Sequence, residues 1–122
     1  MSAYDCFCDF DAPSMFNARI VTARKQHKCG ECARLIDTGD RYEYACGIWS
    51  GRFETYKTCA RCIAVREYVT AHVPCFCWCY TNMLLDADDH MREVAWQVPG
   101  MWMEYGRLRV AVRKQPRMEA GR

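Results

Sequence analysis

Two cysteine pairs, Cys29-Gly30-Glu31-Cys32 and Cys59-Ala60-Arg61-Cys62, have the residue types and the spacing to do chemistry. In each pair a tight turn can bring two thiolates onto one ion. Together they read C-x2-C-x26-C-x2-C, the pattern of a four-thiolate zinc site with Cys29, Cys32, Cys59 and Cys62 as ligands. Such a site is closed. It leaves no coordination position for a water, so its chemistry is structural, and it can contribute on the order of 10 kcal/mol to folding. His27, two residues before Cys29, is the alternative ligand in place of one thiolate. Of the other thiols, Cys6 and Cys8 form C-x-C, and Cys75, Cys77 and Cys79 form C-x-C-x-C. Two readings stand side by side for them. Either Cys6, Cys8, Cys75 and Cys77 close a second site, giving two zinc ions rather than one, or they are small buried apolar groups. Cys46 sits alone on an expected strand and reads as core.

The elements that must position these thiols can be read from the pattern around them. Residues 1–28 form an irregular lead-in, with Pro13 and three aspartates, and a short strand over 18–23. After the first pair, Ile36-Asp37-Thr38-Gly39-Asp40 is a turn whose glycine needs positive φ. Residues 41–46 alternate with period two, Trp49-Ser50-Gly51 is a hairpin turn, and 52–57 is the returning strand. Thr58 is placed to cap a helix that starts with the second cysteine pair and ends before Pro74. A second helix runs from about Leu84 to Gln97, and Pro99-Gly100 stops it. Leu108, Val110 and Val112 alternate with Arg107, Arg109, Ala111 and Arg113, which predicts a terminal strand. Knuckle, hairpin and helix in that order make a treble-clef-like α+β domain. One domain is expected over 1–122: lead-in 1–28, treble-clef core 29–72, and a cysteine-rich turn, helix and basic strand over 73–122.

The chain has 122 residues, of which 51% are hydrophobic, and this composition excludes wholesale disorder. No apolar run is long enough for a membrane span. The first residues lack the basic and apolar regions of a signal peptide, so the thiols are expected in a reducing cytoplasm as metal ligands rather than disulfides. The formal charge of +2 is unevenly placed. Asp5, Asp9 and Asp11 stand near the start. Arg107, Arg109, Arg113, Lys114, Arg117 and Arg122 stand near the end against Glu119. Arginines outnumber lysines thirteen to four, which suits bidentate recognition of phosphate or carboxylate.

Candidate partner-binding residues are therefore Arg107, Arg109 and Arg113 on one face of the terminal strand, with Trp49 and Arg52 at the hairpin tip. Trp and Arg are enriched at interface hot spots. The plain alternative for Trp49 is an indole folded onto its own hairpin. His72 and His90 read as solvated or hydrogen-bonded. No catalytic residue is assigned. Nucleases built on a treble clef place a catalytic histidine on the hairpin, and no histidine lies between Cys32 and Cys59. A metal-dependent nuclease is thus the minor alternative to a non-enzymatic protein.

The tracts Ala23–Cys32, Gly39–Glu43, Gly47–Cys59 and Val69–Trp78 resemble a group of small cysteine-rich proteins of bacteriophages and prophages, with likeness from about Asp5 to Val98. The resemblance implies zinc and a place in the cytoplasm of a bacterial host, and implies no activity. Small phage accessory proteins commonly bind host machinery. The expectation is a zinc-stabilised protein that binds, and inhibits or redirects, a host protein or protein–nucleic-acid assembly such as a defence complex. Direct nucleic-acid binding is the alternative.

Overall fold

In the computed structural model, which describes residues 13–117, an antiparallel sheet and three α-helices share one core. The strands are β1 (Met15–Thr22), β2 (His27–Lys28), β3 (Leu35–Ile36), β4 (Arg41–Trp49) and β5 (Arg52–Cys59). The helices are α1 (Ala60–His72), α2 (Met83–Val94) and α3 (Met101–Arg113), with a 3-10 turn at Ala95–Gln97 after α2. β4 is central in the order β1-β4-β5, while β2 and β3 form a separate small ribbon.

The hairpin β4–β5 closes at Ser50-Gly51, whose φ angles of 51° and 79° are those of a tight two-residue turn matched to strand twist. Gly39 has φ 93°, as the turn before β4 requires. β1 pairs along the whole of β4, from Met15 opposite Ile48 to Thr22 opposite Arg41. The described part of the lead-in, 13–28, is thus more regular than its composition indicates. Gly47 has a distinct reason to be glycine: a Cβ there would lie 2.6 Å from the Met15 carbonyl oxygen and 2.8 Å from the Trp49 ring.

α1 touches β4, β5, α2 and α3, so it is the spine of the fold. Its Cys62, Val65 and Val69 are fully buried, and Met83, Ala87 and Met91 of α2 and Met101, Tyr105 and Val112 of α3 pack into the same cluster. Each fully buried large apolar side chain contributes about 1.5–3 kcal/mol.

The terminal strand expected over 107–113 is instead the second half of α3. Its alternation is too short to outweigh the longer phase set from Gly100, which caps the helix with φ 85°. Met101, Tyr105, Leu108 and Val112 recur at helical spacing and face the core, whereas Val110 is exposed.

Candidate metal centre

Each cysteine of the two pairs is held by a different local device. β2 and β3 bring Cys29 into a knuckle: its amide donates to the Arg34 carbonyl at 2.9 Å, and Ala33, with φ 61°, turns the chain back. The Gly30 amide donates to Lys57 of β5 at 2.8 Å, which docks the knuckle on the hairpin end. Cys59 is the last residue of β5 and the N-cap of α1, and Cys62 lies in the first turn of α1. Thr58, expected as the cap, is a buried strand residue instead.

Ligand atoms of Cys29, Cys32, Cys59 and Cys62 all lie within 4.8 Å of one another. Cys29 and Cys62 sulfurs are 3.9 Å apart, and Cys32 and Cys59 sulfurs 3.8 Å. Tetrahedral zinc with Zn–S bonds of about 2.3 Å sets its sulfurs about 3.8 Å apart. The donor set and its spacing therefore fit a dication bound by four thiolates. His27 is outside this group and leans on the Tyr42 ring at 5.3 Å. Burial, then Lys57 and Lys25, lower its pKa.

The crowding of the four sulfurs fits the same cation. Contacts from Cys29, Cys32 and Cys62 press the Cys59 thiol far below the ordinary thiol range, and Cys32 and Cys62 pull Cys29 down. Cys32 and Cys62, each facing Cys29 first, are pushed far above it. Four sulfurs this close cannot all ionise unaided, and two positive charges at their centre remove that conflict.

Around the sulfurs stand donors that stabilise negative charge. The Glu31 and Cys59 amides donate to the Cys29 sulfur at 3.4 and 3.3 Å. The Gln115 side-chain amide donates to the Cys59 sulfur at 3.4 Å and reaches the Cys32 sulfur at 3.8 Å. Gln115 was not among the sequence candidates; it lies 56 positions from Cys59, and nothing local marks it. Its segment is pinned at the knuckle by Leu35, whose amide donates to the Pro116 carbonyl at 2.8 Å, and by Arg34, which donates to the Gln115 carbonyl at 3.3 Å. Glu31, an intervening residue of the first pair, accepts from the Thr81 and Met83 amides at 2.8 and 3.0 Å. It thereby caps the start of α2. Burial raises its pKa despite those two donors.

The other sequence candidates are dispersed. Cys75 and Cys77 sulfurs lie 3.4 Å apart, and Cys75 is disulfide-bonded, against the expectation that it is a reduced thiol free to ligate a second metal. Cys6 and Cys8 lie outside the described residues. Cys46 is half-buried on β4. Trp49 is half-buried, its indole over Gly47 and its ring 5.9, 5.6 and 6.3 Å from Phe16, Tyr56 and Tyr80. Arg52 is exposed, 3.9 Å from Glu54. Arg109 does not stand in a row with Arg107 and Arg113. It forks onto Asp88 of α2, with Nε to Oδ1 at 2.9 Å and Nη2 to Oδ2 at 3.1 Å. Arg107 and Arg113 remain exposed. His72 and His90 each bond the carbonyl four residues earlier on their own helix, at 2.8 Å.

No described helix is long and apolar enough to cross a membrane. Compared with protein-family models, with curated proteins and with solved structures, the chain matches none.

Proposed function

We propose that this is a non-enzymatic binding module stabilised by zinc in a treble-clef-like site, which docks on a bacterial host protein or protein–nucleic-acid assembly and inhibits or redirects it. The observation that carries the reading is the four-sulfur cluster, its ligand atoms all within 4.8 Å of one another and with no fifth donor or histidine in the group among the described residues. Such a centre holds structure together and leaves no place for a reacting water. A knuckle, a hairpin and a helix that begins between the last two ligands follow the treble-clef order. Zinc, when bound, neutralises the thiolates and ties knuckle to α1. The residues themselves orient the sulfurs through amide donors and exclude water. The family resemblance of the sequence supports the phage and host setting. Engagement of Arg109 with Asp88 weighs against an arginine row for nucleic acid.

The test is metal content with a binding series. At least one zinc per chain is expected, lost with folding in Cys59→Ser. A protein partner from the bacterial host should stay bound after nuclease treatment at physiological salt. A folded metal-free protein would sink the structural-zinc reading. Binding to nucleic acid alone, weakening steeply with salt, would replace the protein partner with phosphate. Metal-dependent cleavage of plasmid would make the protein a nuclease.

A further inference from the structure

The outward face of α3 combines features that the core does not use. Trp102, Met103 and Val110 are 49%, 65% and 39% exposed. With Gly106 they floor a shallow groove of about 630 Å³. At 100° per residue these four positions fall on one arc of the helix, away from the buried Met101 and Val112, and Trp102 at its edge stacks on the Tyr105 ring at 5.8 Å. From Trp102 to Val110 the floor runs about 12 Å, a little over two helical turns.

Gly106 is informative because no described residue crowds it. It sits inside α3 without positive φ, and a Cβ built there meets nothing within 4 Å. Glycine in a helix interior costs about 1 kcal/mol relative to alanine. Nothing among the described residues offsets that cost, and the missing side chain leaves a dip in the groove.

The rim has one sign. Arg107, Arg113 and Lys114 line the groove, no acidic residue does, and none of the three cations is in an ion pair among the described residues. We propose that this groove docks an acidic amphipathic helix of a partner protein. Apolar side chains at i, i+4 and i+7 would fill the floor, the middle one over Gly106, and flanking carboxylates would meet the rim. Helix-in-groove recognition reads such anchors. Where Gly106 has no side chain the open floor dips, and that dip takes an apolar anchor of a helix while the rim cations take its carboxylates. The proposal rests on the binding-module reading and names its site and partner class.

The probe is a displayed library of helical peptides, randomised at the three anchor positions and their flanks and selected on the zinc-loaded protein. Selected peptides are expected to carry apolar anchors flanked by Glu and Asp. A synthetic consensus peptide should lose at least tenfold in affinity against Gly106→Leu, and likewise against the triple variant Arg107→Glu/Arg113→Glu/Lys114→Glu. Zinc content and helicity should stay at the wild-type level in both, because these side chains lie outside the core. No enriched peptide, or a consensus peptide indifferent to both variants, would overturn the groove. Binding of anionic vesicles or duplex DNA that the same variants abolish, without peptide binding, would overturn it too. A host protein held equally by wild type and Gly106→Leu would sink the groove and leave the binding module standing. Loss of the module itself would show as a zinc-free folded chain or as binding to nucleic acid alone.

Discussion

A zinc-bound thiolate keeps residual negative charge, and the groups that touch it decide how tightly the metal is held. In the proposed zinc site Gln115 is the side chain that would do so, with its amide on the Cys59 sulfur and close to that of Cys32. A neutral donor at this distance stabilises the charged sulfur without competing for it as a ligand. Outer partners of this kind change metal affinity by about 10–100-fold in other sites. Gln115→Leu keeps the bulk and removes the donor, so zinc transfer to a chelator should run at least tenfold faster. Gln115→Glu brings a carboxylate against thiolates and should be worse still. Equal transfer rates in all three proteins would show that the amide does not bear on the metal. The four ligands themselves are plain in the sequence because cysteine spacing is a local property. Gln115 is not, because it reaches the site only through the path of α3 and the pinning of Pro116 on Leu35.

Between elements, two polar clusters hold what apolar packing leaves open. Glu43 of β4, nearly buried, receives both Arg66 nitrogens of α1 at 3.0 and 2.8 Å and the Tyr80 hydroxyl at 3.3 Å. Arg66 also lies 5.1 Å over the Trp78 ring. Asp88 of α2 receives Arg109 and Tyr105 of α3 and fixes the angle between those helices. Burial alone would raise the Asp88 carboxyl, but bonds from Arg109 and Tyr105 hold it below its ordinary value of 3.8. A depressed folded-state pKa stabilises the protein fully above the unfolded value and loses that stabilisation as pH falls through the folded one. The stability gap between wild type and Asp88→Asn should therefore be about 2 kcal/mol. It should stay constant from pH 8 to 5, as read from denaturant midpoints. A gap that already shrinks between pH 6 and 5 would mean that the carboxyl is raised rather than lowered. This cluster also explains why the last element was misread from sequence. Arg107, Arg109 and Arg113 look equivalent in an alternating run, and only the helical turn sends Arg109 inward to Asp88. The hairpin and α2 were legible because Ser50-Gly51 and Pro99-Gly100 punctuate them. β1 was only partly so, because its outward Phe16 and Ile20 blur the pattern.

Across the whole molecule, the cysteine cluster is the junction through which every layer is tied. Cys29 hangs from the β2–β3 ribbon, Cys59 ends the sheet and Cys62 starts the helical layer. Glu31 carries the first pair to the head of α2, and Gln115 ties Cys59, and more distantly Cys32, to the tail of α3. The cluster also lies within the apolar core rather than beside it, since Cys29, Cys59 and Cys62 are buried with Val65, Val69 and Met91. With zinc bound as proposed, removing it would leave sulfurs that must reprotonate at the centre of that core, and about 10 kcal/mol of binding free energy would go with it. Typical domains hold only about 5–15 kcal/mol in total. Chelation should therefore unfold the protein in one cooperative step. Helical circular dichroism and tryptophan fluorescence should fall together along the chelator titration, and zinc readdition under reducing conditions should restore both. If α2 and α3 kept their helicity while fluorescence was lost, the helical layer would have a core of its own, and the metal would hold only the knuckle to the hairpin.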